Sequence, residues 1–86
     1  MKYQITIEDK ALKQIEYFKK HNRKIADKIY DLLSDLKTNP LGRIGKPEPL
    51  KFELSGYWSK RITKEHRLIY KIEGKNIIII SCRFHY

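Results

Sequence analysis

The 86-residue chain has room for one domain, and a domain this small buries only about 60–65% of the surface its unfolded form exposes. A hydrophobic fraction of 41% is too high for a disordered tail, and the longest apolar run, Ile77 to Ile80, falls far short of the roughly 20 residues that span a bilayer. Net charge is +9, split +4 over residues 1–43 and +5 over residues 44–86, so a polyanionic partner is expected and any basic patch has to be assembled by folding.

Tyr3, Ile5 and Ile7 alternate with Gln4 and Thr6, the period of a strand. Asp9 is placed to cap a first helix with Leu12, Ile15 and Phe18 on one face. His21-Asn22 interrupts it, and Asn22 is positioned to cap a second helix carrying Ile25, Ile29, Leu32, Leu33 and Leu36 on one stripe. Thr38-Asn39-Pro40 stops that helix. All three prolines fall in residues 39–49 with Gly42 and Gly45, which predicts a loop. From Leu50 the period becomes two. Strands are expected at Leu50/Phe52/Leu54, Tyr57–Ile62, His66–Glu73 and from Asn76 onward, with a tight hairpin at Gly74-Lys75. No signal-peptide pattern is seen at the amino terminus, and the single Cys82 has no partner for a disulfide within the chain; a cytoplasmic setting without a membrane is expected. The order β-α-α-β-β-β-β predicts a single α+β domain over residues 1–86. It has a mostly antiparallel twisted sheet with both helices packed on one face.

Alternation sorts the strand residues by face. Leu50, Phe52, Leu54, Ile62, Leu68, Tyr70, Ile72, Ile78, Ile80, Cys82 and Phe84 fall on the helix-covered side. Lys51, Glu53, Ser59, Arg61, Arg67, Lys71, Ser81, Arg83 and His85 fall on the other, a face with five cations, one histidine and one acid. An ordinary solvated face would mix its charges more evenly. Trp58 and His66 share the core parity and are expected to be structural, as is the thiol of Cys82. His21 is expected to be a solvated residue between the helices.

Metal-free RNA cleavage needs a base for the 2′-OH proton, an acid for the departing 5′-oxygen and cations for the charge that develops at phosphorus. Glu48, fixed between Pro47 and Pro49, is the candidate base. Arg67 offers a planar fork for phosphate oxygens, and His85 is the candidate acid. The histidines, cysteine and acids show no metal-ligand spacing, and no Gly-rich loop cradles a nucleotide. No cofactor is expected.

The series Lys46-Pro47-Glu48-Pro49-Leu50-Lys51, Leu54-Ser55-Gly56-Tyr57-Trp58-Ser59, Arg61-Ile62-Thr63, Glu65-His66-Arg67-Leu68 and Cys82-Arg83-Phe84-His85-Tyr86 resembles the YoeB-type toxins of the RelE superfamily. The likeness is dense over residues 46–86, while the helices match in pattern only. It implies a RelE-like fold and a toxin of a type II toxin–antitoxin system that cuts mRNA in the ribosomal A site. The cut leaves a 2′,3′-cyclic phosphate and a 5′-hydroxyl. The family's base then falls on Glu48, its transition-state arginine on Arg67, its acid on His85 and its terminal tyrosine on Tyr86. Tyr86 has core parity, so it reaches the open face only where the chain leaves sheet geometry. Lys51 and Arg61 match the family's supporting cations, and Arg83, on the same face by parity, is expected to bind substrate with them. A YefM-type antitoxin, the ribosome with its rRNA and mRNA, and a homodimer are the implied partners. Two positions depart from the family pattern. Phe84 replaces a common tyrosine, and Lys60 replaces a common arginine, which predicts a weaker phosphate contact there. The competing functions are a non-catalytic ParE-like gyrase-inhibiting toxin, which lacks the acid–base set, and a plain RNA-binding module.

Overall fold

The computed structural model describes residues 2–42 and 45–84, the side chain of Leu54 excepted. Strand β1 (Gln4–Ile7) leads into helix α1 (Asp9–His21) and helix α2 (Arg23–Leu36). A loop then reaches β2 (Glu48–Pro49), a 3-10 turn (Phe52–Leu54), β3 (Tyr57–Arg61), β4 (Arg67–Glu73) and β5 (Asn76–Ser81). The five strands lie in the order β1-β5-β4-β3-β2, with β1 parallel to β5 and every other pair antiparallel. Both helices supply the same buried core, so the expected α+β layering is the observed one. Among the described residues no helix is long and apolar enough to cross a membrane.

Local chemistry accounts for the helices. Glu8, one residue earlier than expected, occupies the N-cap position of α1, and Ala11, Ile15 and Phe18 are its buried face. Spacings of four and three stay in phase with a 3.6-residue turn. The expected Leu12-Ile15-Phe18 set drifts off that face, and Leu12 is exposed. Asn22 caps α2 as expected: its Oδ1 accepts the N–H of Ile25 at 3.4 Å. Ala26, Ile29, Leu32, Leu33 and Leu36 then meet Ile62, Leu68, Tyr70, Ile77, Ile79 and Cys82 in the core.

The sheet departs from simple alternation in two places. In β5 the core residues are Ile77 and Ile79, opposite Ile72 and Tyr70, while Ile78 and Ile80 are only half-buried. A bulge shifts the register between Ile69 and Tyr70, so Ser81 pairs with Ile69 on the open face. One extra residue reverses the parity of everything beyond it. Ser81 and Cys82 therefore sit where unbroken alternation put them, and Ile78 and Ile80 do not.

The expected strand at Leu50/Phe52/Leu54 is instead the 3-10 turn. Leu50 is buried, but Phe52 has φ +56° and is 89% exposed. Leu54, expected in the core, has its side chain outside the described residues. The strand beside β3 lies earlier, at Glu48–Pro49, where Pro49 and the preceding Pro47, both without N–H groups, suit an outer position. Gly45 (φ +77°) sets its approach: its carbonyl accepts the N–H of Arg61 at 2.7 Å. A Cβ there would come within 3.0 Å of the Cβ of Lys60.

Candidate active site

The open face is built from one row across the sheet. Glu48 stands opposite Ser59, Ser59 opposite Ile69, and Ile69 opposite Ser81. Ser59, Ile69 and Ser81 are buried and form the floor. One step along, Arg61 faces Arg67. Arg67 turns back over the row, where its Nη1 donates to Ser59 Oγ at 3.0 Å and its Nη2 lies 3.8 Å from Glu48 Oε1. A carboxylate and a guanidinium from strands β2 and β4 thus meet above a serine of β3. Alternation puts Ser59 on this face, and the structure gives it a part. Its hydroxyl fixes one arm of the guanidinium fork, and the carboxylate lies within ion-pair range of the other.

Two arginines directly opposite each other repel. Glu48 offsets part of that repulsion. A bound phosphate would offset the rest through planar forks matched to its oxygens. Lys51 is exposed two residues past β2 and shares an open cleft of about 360 Å³ with Glu48, Pro49, Leu50 and Phe52. Arg61 is exposed at the end of β3.

Two cations are placed differently from their sequence expectation. The side chain of Lys60 is wholly buried, and its Nζ donates to Asp35 Oδ2 of α2 at 3.2 Å. It therefore makes no phosphate contact. It shares the core side with Trp58 and Ile62, and the mismatch with the family arginine concerns helix docking. Arg83 leaves the open face altogether. Pairing of β5 ends at Ser81, the chain bends through Arg83 and Phe84, and Phe84 has φ +62°. Alternation no longer applies there. The guanidinium of Arg83 instead lies 3.8 Å from the Tyr17 ring of α1 and 4.7 Å from that of Phe84, a double cation–π contact away from Glu48 and Arg67. Phe84, expected in the core, is exposed.

That bend is held at both ends of one residue. The N–H of Phe84 donates to Nδ1 of the buried His66 at 2.8 Å, and its carbonyl accepts the N–H of Arg67 at 3.1 Å. The His66 ring packs edge-on against Phe18 at 5.0 Å. The structural hydrogen bond expected of His66 is present, and it fixes the chain immediately before His85. His85 and Tyr86 themselves lie outside the described residues. Cys82 is a core thiol: its N–H donates to Gln14 Oε1 at 2.7 Å, its Sγ donates to Ala11 O at 3.6 Å, and burial pushes its pKa up to about 12.

Two helices over one face of this mixed five-stranded sheet form the α+β layout of YoeB- and RelE-like toxins. A family model described as YoeB-like toxin of bacterial type II toxin-antitoxin system matches residues 7–86. Toxin YoeB of Synechocystis is 50% identical over 70 residues, covering 81% of each chain. Two solved Staphylococcus aureus structures superpose over the full length of both chains. They are a YoeB–YefM complex (TM-score 0.86, 41% identity) and a YoeB dimer (TM-score 0.87, 40% identity). The chain belongs to the YoeB-like toxin family of type II toxin–antitoxin systems.

Proposed function

We propose that this toxin is a ribosome-dependent endoribonuclease that cuts mRNA in the A site by general acid–base catalysis. The observation that carries the proposal is the Glu48–Arg67 pair on the open face, 3.8 Å apart. In this mechanism Glu48 takes the proton of the substrate 2′-OH, and the freed oxygen attacks the adjacent phosphorus. Arg67 stabilises the extra negative charge on the phosphoryl oxygens as the phosphorane-like transition state forms. His85 gives its proton to the departing 5′-oxygen. The products are a 2′,3′-cyclic phosphate and a 5′-hydroxyl, with the protein's net protonation unchanged once Glu48 and His85 re-equilibrate. Tyr86 positions the substrate, and Lys51 and Arg61 hold flanking phosphates.

The solved YoeB–YefM complex and YoeB dimer support two partners: a YefM-type antitoxin and a second copy of the toxin. A bacterial cytoplasmic location follows from a ribosomal target.

The test is to map the ends of translated mRNA with and without ribosomes. Cleavage with cyclic-phosphate ends is expected only when ribosomes are present. Glu48→Gln and His85→Gln should each lower the rate by about 10²–10⁴-fold while the protein stays folded, and Arg67→Ala by about 10²–10³-fold. Undiminished cutting in Glu48→Gln and His85→Gln would remove the mechanism. Intact mRNA beside supercoiling-defective DNA would point to a gyrase target instead.

A further inference from the structure

We infer that Phe52 is a stacking platform for a nucleobase of the RNA strand that enters the Glu48 cleft. This rests on the RNA-cleaving function proposed above and assigns that site a base-binding position. Among the described residues Phe52 is the most exposed large hydrophobic side chain, at 89%. A single exposed apolar side chain is unremarkable on its own. Its backbone is not, because φ is +56°, a region that bulky residues rarely enter. Glycine would relieve that strain, and a polar residue would relieve the exposure. The chain keeps neither remedy, and this combination of strain and exposure is found where a side chain has to be presented.

The surroundings say to what. Phe52 and Lys51 line the cleft that holds Glu48, and Arg61 and Arg67 stand on the neighbouring strands. An aromatic face among cations suits single-stranded nucleic acid, whose bases stack while the phosphates are neutralised. The platform is also anchored. The N–H of Leu50 donates to Tyr57 O at 2.9 Å, and that of Ser55 to Phe52 O at 3.0 Å, so the turn on both sides is fixed. Little conformational freedom is lost when a base settles on it.

The experiment compares Phe52→Ala, Phe52→Gly and Phe52→Trp with the wild type in two assays. The first is cleavage of mRNA on programmed ribosomes. The second is binding of a 2′-O-methyl RNA oligonucleotide, which cannot be cut. A base stack contributes about 1–3 kcal/mol by alanine substitution, so Ala and Gly should lower kcat/KM and oligonucleotide affinity by about 5- to 150-fold. Trp should retain both. Phe52→Gly should melt no lower than the wild type, because its backbone suits the turn, and this separates lost stacking from lost folding. Equal oligonucleotide binding by wild type and Phe52→Ala overturns the inference, whether or not cleavage occurs. So does weakened YefM-type antitoxin binding or dimerisation with RNA binding unchanged. A wild type that binds the oligonucleotide through Phe52 but never cuts mRNA would sink the nuclease proposal and leave the platform standing.

Discussion

Lys60 and Arg61 are neighbours in β3 and carry the same charge, yet they face opposite sides of the sheet and meet opposite fates. Lys60 is buried and ion-paired to Asp35 of α2 at 3.2 Å, so it fastens a helix to the sheet. Arg61 is exposed, and its cross-strand neighbour is Arg67, another cation. Net charge therefore says little about binding until each cation is assigned a face. On the covered side a cation is satisfied within the fold. On the open side two cations are left in an arrangement that an incoming anion relieves.

Asp35→Ala is the strongest way to break this contrast. It leaves the Lys60 ammonium buried without its partner, and loss of about 3–5 kcal/mol is expected in urea unfolding. Activity per folded molecule should not change. Lys60→Met combined with Asp35→Leu should recover most of the loss, since apolar replacements of a buried pair are often neutral. A loss below about 1 kcal/mol for Asp35→Ala would mean that Lys60 reaches water and the two faces are less distinct than they look.

The covered face also sets an alkaline limit. Burial raises the Cys82 thiol from 9.0 to about 12. The unfolded chain then loses this proton before the folded one, so the stabilisation is complete below pH 9 and fades as pH rises towards 12. The slope is about 1.4 kcal/mol per pH unit. Burial and nearby Asp35 raise the Tyr70 phenol too, and its Oη donates to Pro40 O at 2.7 Å, which steepens the decline above pH 10. Cys82→Ala should flatten the curve between pH 9 and 10 in a thermal-melt series. A curve parallel to the wild type would show that the thiol does not titrate with unfolding.

The smallest expected change in stability is at Arg61. Arg61→Ala should alter it by no more than about 0.5 kcal/mol, and relief of the repulsion from Arg67 favours a slight gain. Its effect belongs in the salt dependence of RNA binding, where one lost phosphate contact should lower the slope by about 1. An unchanged slope would take Arg61 out of the binding face.

Much of this architecture was legible from periodicity. Asn22 marks the break between helices, Ile29, Leu32, Leu33 and Leu36 of the α2 stripe are buried where their spacing puts them while Ala26 is buried ahead of the half-buried Ile25, and β1, β3 and β4 fall where alternation puts them. Glu48 and Arg67 were singled out, and the fold places them side by side, although 19 residues of sequence separate them. Lys60 was readable by the same rule, since it shares parity with Trp58 and Ile62. Its family counterpart drew attention to phosphate instead. The other departures in the sheet share a cause. Alternation holds only while a chain remains extended, and it failed at the β5 bulge, at the positive φ of Phe52 and past Ser81, where Arg83 swings towards Tyr17. None of these has a local sequence signal such as a glycine at the bend.

The parallel pairing of β1 with β5 has a consequence for how the toxin comes into being. Gln4 to Ile7 hydrogen-bond beside Asn76 to Ile79, so among the described strands β1 has no neighbour until β5 has emerged. Closing so long a loop is slow compared with forming the helical hairpin between them. While the chain is still being synthesised, the inner faces of α1 and α2 lack most of their sheet. Completion of the sheet thus waits for β5 to be made, and a nascent chain lacking β5 has no finished sheet on which to assemble the site.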